Sequence, residues 1–368
     1  MPPRSAPTQV TVPSVVMPPA ATAHSLPEVA APEAKPLAPT ASGGHIALLL
    51  PLRAPSFQRP ASAVQQGFMA AYTLENEPRI EVKLYPTTDS PSEVVAAYRA
   101  AVDAGAVAVV GPLTRSAVTA LAQSDAISVP TLALNNVDGE LPPRPMLYFF
   151  ALSVESEARL VARRVWAAGK KSSGTIASGS ALSRRMQAAF NDEWLKLGGL
   201  IVAELAYSGD PLRLSAIRDQ LAKNPPEAIF LALDASQARV VRPFIDSPIS
   251  VFATSQVHAE KPGPQRYLDL NGIRFVDMPW LLDPTRTDLA RYPREDPGYS
   301  MEMRRLYAFG IDAARLAHRL VAAPADIQAP LLGASGELKL ESERQFLRVP
   351  IEAEFVDGEI ALVETVAR

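Results

Sequence analysis

The chain has 368 residues, a formal net charge of −3, 20% charged and 48% hydrophobic residues, 35 prolines and no cysteine. This is enough apolar material for a buried core and about two domains, with no basic excess for nucleic acid or an anionic membrane. Without thiols there is no disulfide scaffold, thiolate metal site or cysteine nucleophile. The four histidines, His24, His45, His258 and His318, are too scattered for a metal site, and no apolar run approaches the roughly 20 residues that cross a bilayer.

Residues 1–43 hold 10 prolines and 9 alanines with no aromatic residue. Such a segment buries too little to offset its ordering entropy, and a disordered, partly polyproline-II arm is expected. Met1-Pro2-Pro3 lacks the charged, apolar and small-residue sections of a secretory signal. The arm therefore reads as a tether with something missing upstream rather than as a spacer in a cytoplasmic protein.

From His45 the pattern changes. His45 to Leu52 is a continuous apolar run of the parallel-sheet kind. A helix is expected over about 61–74, with Val64, Phe68, Ala71 and Tyr72 on one face, then an alternating strand over 79–85. Ser90-Pro91-Ser92-Glu93 reads as a capping box with proline at the first helical position, and Gly105 as a left-handed C-cap. Ala106 to Val110 is a third strand closed by Gly111-Pro112, followed by a helix over 114–123 and a strand over 129–134.

The rhythm restarts with Ser153 capping a helix to Ala168. Strands are expected at 175–177, 200–206, 228–233, 250–253 and 272–276, with helices at 186–197, 212–223 and 236–245 between them. A long helix over 301–321 follows, and the tail closes in a hairpin of 351–356 and 360–363 around Asp357-Gly358. Two such units followed by a mixed tail predict an α/β fold of two Rossmann-like lobes with parallel sheets, joined by a multi-strand hinge. The expected division is 1–43 as the arm, 44–151 with 281–330 as one lobe, and 152–280 with 331–368 as the other. Ligands of such folds sit at the carboxyl ends of strands.

Motifs for dinucleotides, P-loops, α/β-hydrolases and zinc proteases are absent, and no cofactor is expected. Ser178-Gly179-Ser180 follows a strand, but nothing local activates a serine, so a strand-to-helix loop, placed where it could hydrogen-bond a ligand, is the better reading. His258-Ala259-Glu260 lacks the cysteines a deaminase needs and reads as a loop histidine. Glu155 and Glu157 complement a helix dipole at its start, and Arg163-Arg164 with Lys170-Lys171 complement it at its end, where a docking patch is the alternative. Gly111-Pro112-Leu113-Thr114-Arg115-Ser116 offers free N–H groups and two hydroxyls at a helix start, suited either to an anion or to plain capping by Thr114. Asn135 and Asn136 would face the same crevice. Trp280, in Asp277-Met278-Pro279-Trp280, falls at the lobe junction, where it either packs the hinge or lines the cleft. The candidate cleft is thus Thr114, Arg115, Ser116, Asn135, Asn136, Ser178 and Trp280.

Several segments carry a resemblance: Ile46 to Leu52, Gln66 to Tyr72, Val110 to Leu113, Pro130 to Asn135, Ala228 to Ala232, Phe252 to Ser255, Gly272 to Leu282 and Leu306 to Ala313. The chain from about residue 45 onward resembles the C-terminal region of the penicillin-binding-protein activator lipoproteins (the LpoA or LppC type), which have the type I periplasmic-binding-protein fold. The resemblance implies a non-enzymatic, outer-membrane-anchored periplasmic lipoprotein whose partner is a class A penicillin-binding protein, a bifunctional synthase whose peptidoglycan cross-linking it stimulates. The arm suits that reach, since 43 residues of polyproline II at about 3.1 Å each extend to roughly 130 Å. A periplasmic solute-binding protein with a small, amino-acid-like ligand in the cleft is the alternative.

Overall fold

In β1 (His45–Leu50) all six residues are buried, Ile46, Leu48 and Leu50 against one face and Ala47 and Leu49 against the other. A strand wet on neither side belongs inside a parallel sheet, and each leucine so buried contributes roughly 1.5–3 kcal/mol. The structure, a computed structural model, describes residues 44–75, 80–139, 144–246, 248–259 and 266–363. The arm expected at 1–43 lies outside them.

The first unit continues with α1 (Gln58–Glu75), β2 (Glu81–Pro86), α2 (Pro91–Asp103), β3 (Ala106–Val110), α3 (Arg115–Gln123), β4 (Thr131–Ala133) and β5 (Leu147–Phe150). The second runs α4 (Val154–Ala167), β6 (Ser172–Ser178), α5 (Ala181–Lys196), β7 (Leu200–Tyr207), α6 (Pro211–Lys223), β8 (Ala228–Ala232), α7 (Ala235–Val241), β9 (Ser250–Ala253) and β10 (Ile273–Asp277). After β10 come the short helices α8 (Pro279–Leu282) and α9 (Thr287–Ala290), then the 22-residue α10 (Met301–Ala322). The tail adds β11 (Leu331–Leu332), β12 (Glu337–Leu340), β13 (Gln345–Val349), β14 (Ile351–Val356) and β15 (Glu359–Leu362).

The parallel strands take the order β2-β1-β3-β4-β5 in one sheet and β7-β6-β8-β9-β10 in the other. Both are the doubly wound order 2-1-3-4-5, whose switch points, β1/β3 and β6/β8, open a crevice at the carboxyl edge. The two parallel α/β lobes expected from the strand–helix rhythm are present. The chain passes between sheets after β5, after β10 at Met278, and at Pro350 between β13 and β14.

The tail does not divide as expected. Of residues 331–368, expected entirely in the second lobe, β11 to β13 extend the first sheet through β13 beside β5, and only β14 and β15 extend the second beside β10. Pro350 separates the two sets; its lack of an N–H removes a ladder bond at the point where the strand changes sheets. β5 was also not foreseen, although its Leu147-Tyr148-Phe149-Phe150 run carries strand propensity.

The capping box at Ser90 does not form. Ser90 Oγ pairs with Ser92 Oγ at 3.1 Å, while Glu93 accepts from the Thr88 backbone and hydroxyl and from Arg53. Gly105 does take the left-handed conformation, with φ +87°.

One contact joins the ends of the first lobe. A Cβ on Gly67 of α1 would lie 1.9 Å from the Tyr307 carbonyl oxygen of α10, and one on Gly310 of α10 would lie 2.1 Å from that of Val64 of α1. The helices therefore touch backbone to backbone at reciprocal glycines, which sets α10 against the same sheet face as Ile46, Leu48 and Leu50.

Candidate functional site

The expected cleft residues sort into three places. Thr114 is the N-cap residue of α3 at the carboxyl end of β3; it is buried, and its side chain makes no capping bond. Arg115 reaches Asp138 at 3.4 Å between exposed partners, a pairing worth at most about 1 kcal/mol. Ser116 follows on the exposed first turn. Asn135 Nδ2 donates to the Leu113 carbonyl at 2.9 Å, and Asn135 Oδ1 accepts from the Asn136 backbone N–H at 2.9 Å. This ties the loop after β4 to the loop after β3. Asn136 Oδ1 in turn accepts from Gln345 at 3.3 Å. These five residues share one edge of the first sheet.

Ser178 stands at the corresponding edge of the second sheet. Its backbone N–H donates to Ser183 Oγ at 2.7 Å, and its hydroxyl donates to Ser180 Oγ at 3.3 Å. Ser180 caps α5 by accepting from the Ser183 N–H at 3.1 Å, and the Ser183 hydroxyl donates to the Ala232 carbonyl of β8. The serines close the β6/β8 switch point on themselves, and among the described residues the Ser178 hydroxyl pairs with Ser180.

Trp280 is elsewhere. It is 2% exposed in the first-lobe core, beside Tyr307. Its Nε1–H donates to Glu295 at 2.9 Å, and the Arg294 guanidinium lies 4.2 Å above its ring. It is packed into the first-lobe core, with its single polar atom already matched by Glu295.

The residues that do converge at the lobe junction are charged and buried. Asp277, at the end of β10, accepts from Arg305 of α10 at 2.7 and 3.1 Å and lies 2.7 Å from His258 Nδ1. Arg305 Nη2 also donates to the Ser255 and His258 carbonyls, both at 2.9 Å. Ser255 donates through its N–H (3.2 Å) and hydroxyl (2.7 Å) to Glu157 of α4, which also takes Arg348 of β13 at 2.5 Å. Arg348 reaches the Ser335 carbonyl at 3.1 Å, and Ser335 and Ala334 donate to Asp312 of α10 at 2.6–2.8 Å. All of these ionisable residues are at most 7% exposed.

Burial by itself pushes the Asp277 carboxyl up, but the Arg305 guanidinium and the hydrogen bonds from His258 and Arg305 outweigh it and hold Asp277 well below the usual carboxylate range. For Arg305 the burial penalty is likewise outweighed by Asp277, and its affinity for the proton rises. At Asp312 burial prevails over Arg315 and the Ser335 and Ala334 donors, so its carboxyl is pushed up. A depressed carboxylate stabilises the fold above its unfolded value of about 4, and that contribution is lost as pH falls through the lower folded value. The Asp277→Asn variant is therefore expected to be less stable than the parent at neutral pH, with the gap narrowing below about pH 4. Urea midpoints at a series of pH values check this; a gap independent of pH would count against an ionised Asp277.

From the sequence Glu157 reads only as a helix-dipole partner, and neither Arg305 nor Arg348 stands out. A signal was available for α10, where Arg305 and Asp312 interrupt the buried stripe of Met301, Ala308, Phe309 and Leu316. Among the described residues, no group of three or more His, Asp or Glu side chains could hold a metal ion, and no helix is long and apolar enough to cross a membrane.

The solved structures this fold is similar to include the "LpoA (YraM) C-domain from Haemophilus influenzae, a regulator of PBP1A", at TM-score 0.72 and 23% identity over 87% of this chain and 100% of that one. They also include a "putative branched-chain amino acid ABC transporter" from Chromobacterium violaceum, at TM-score 0.74 and 34% identity over 85% of this chain and 100% of that one. Among curated proteins the chain is similar to the "Penicillin-binding protein activator LpoA" of Photobacterium profundum, 26% identical over 332 residues, 81% of this chain and 54% of that protein. The protein of the same name from Yersinia pseudotuberculosis is 28% identical over 364 residues, 76% of this chain and again 54% of the relative. The chain thus spans about half the length of the curated relatives it matches. A family model described as "LppC putative lipoprotein" matches residues 39–348, and the chain belongs to that family.

Proposed function

We propose that this chain is the regulatory module of a periplasmic, outer-membrane-anchored lipoprotein that binds a class A penicillin-binding protein and stimulates its peptidoglycan cross-linking without catalysing a reaction itself. The observation that carries the reading is family membership across residues 39–348, together with relatives named as activators of penicillin-binding proteins. The furnishing of the cleft edges supports it. Asn135, Asn136 and Ser178 have their polar groups engaged by neighbouring loops, whereas a ligand site presents groups aimed at its guest.

A second reading is favoured by the 34% identity to the Chromobacterium protein: a solute receptor whose ligand meets Thr114, Arg115, Ser116, Asn135 and Asn136 from one sheet and Ser178 from the other. The two separate by thermal shift. At a ligand concentration 100 times its dissociation constant, a receptor gains about 2.7 kcal/mol. The activator reading expects no change in Tm with millimolar leucine, isoleucine or valine, and retention of the class A synthase on the immobilised chain. A rise of several degrees with one of these amino acids and no synthase binding would replace it with the receptor reading.

A further inference from the structure

We propose that a closed ring of buried hydrogen bonds, with ion pairs where it crosses the junction, locks the two lobes at one angle, so that the protein works as a rigid body rather than as a clamp that closes on a ligand. The ring starts and ends on α10. From Asp312 it passes through Ser335 and Arg348, all on first-lobe elements, crosses to Glu157 of the second lobe, continues to Ser255, and returns across the junction to Arg305. Arg305 and Asp312 are seven residues apart, two helical turns, and so lie on one face of α10.

Two features make this a lock rather than ordinary hinge packing. The contacting residues sit at all three passages of the chain: Glu157 follows the first by a turn of helix, Asp277 ends the strand before the second, and Arg348 precedes Pro350, the third, by two residues. Arg305 is also anchored off the hinge line. Its partners Ser255 and His258 follow β9, one strand in from the crossover strand β10, so rotation about the crossovers would pull it from two carbonyls. The crossing from Arg348 to Glu157 is a buried ion pair, and beside the crossing from Ser255 to Arg305 stands a second, Arg305 with Asp277. Separating them would strand charges that have no water to replace the partner. A clamp protein, by contrast, keeps its facing surfaces wet in the open state and makes its lobe-to-lobe contacts through the ligand.

The absence of cysteine makes the test direct. Spin labels on Gln123→Cys in α3 and Ser215→Cys in α6, both exposed, report the distance between lobes. The lock predicts one narrow distance distribution, unchanged by millimolar amino acids. Arg348 meets Glu157 across the junction, so the two are replaced together. In the double variant Glu157→Gln/Arg348→Met, which leaves no charge stranded at that crossing, the distribution is expected to widen by about twofold, as for a freed hinge. A broad or two-peaked distribution in the labelled parent overturns the proposal even if no variant folds. So does an unchanged narrow distribution in a folded double variant.

Discussion

Replacing Arg305 by methionine is expected to lower the stability of the described domain by about 3–5 kcal/mol. The change leaves Asp277, fully buried at 0% exposure, without its cation, and strips the Ser255 and His258 carbonyls of a donor. Native proteins are stable by only about 5–15 kcal/mol, so this one loss takes about a fifth of the total at the least. The pairwise character is checked by adding Asp277→Asn. Removing the stranded charge should recover part of the loss, because the cost of breaking a buried pair is mostly the penalty on the survivor. Urea unfolding of the parent, Arg305→Met and the double variant measures both quantities. A single-variant loss below about 1 kcal/mol would mean that Asp277 is better hydrated than its burial implies.

The second large effect is expected from a single methyl group. Gly310→Ala places a Cβ about 2.1 Å from the Val64 carbonyl oxygen and 2.9 Å from the Phe68 nitrogen, both backbone atoms that cannot rotate away. Alanine gains about 1 kcal/mol in helix propensity over glycine, while forcing α1 and α10 apart loosens the packing around Phe68, Phe309 and the buried face of β1. Overpacking of this kind typically costs 1–3 kcal/mol, with rigid backbone at the upper end, so a net loss of about 2 kcal/mol is expected. Gly67→Ala should behave alike, since its Cβ would meet the Tyr307 carbonyl. The two together should cost less than the sum, because the first already opens the crossing that the second needs. Additive losses in thermal unfolding would place the two clashes at independent sites.

The fold was legible where local chemistry and tertiary packing agree. The apolar runs at Ile46–Leu50 and Ala228–Leu233, the left-handed Gly105 and the Asp357-Gly358 turn each appear where the residues put them. What was not legible depends on distant partners. Glu93 has the spacing of a capping box, yet Arg53 and Thr88, brought near by the β1 and β2 loops, win it from Ser90. The tail alternates as one mixed unit, and only the strand that β5 leaves unpaired draws β11 to β13 to the first sheet.

The same division holds at the site. Thr114 to Asn136 does gather at one sheet edge, as the strand ends require, but Trp280 is claimed by Glu295 and Tyr307 from elements 15 and 27 residues away. The segments that carried the family resemblance also have structural work to do: Gly67 and Gly310 set the helix crossing, Asp277 holds Arg305, and Asp312 holds the 333–335 loop. They record how the lobes are fastened.

The central claim is activation of a synthase, and peptide cross-linking on lipid II by the organism's own class A penicillin-binding protein, with and without the full chain, tests it most directly. Activation gives more cross-linked product, rising with chain concentration and saturating as the synthase is occupied. Unchanged cross-linking at concentrations where the chain is shown to be bound would contradict it.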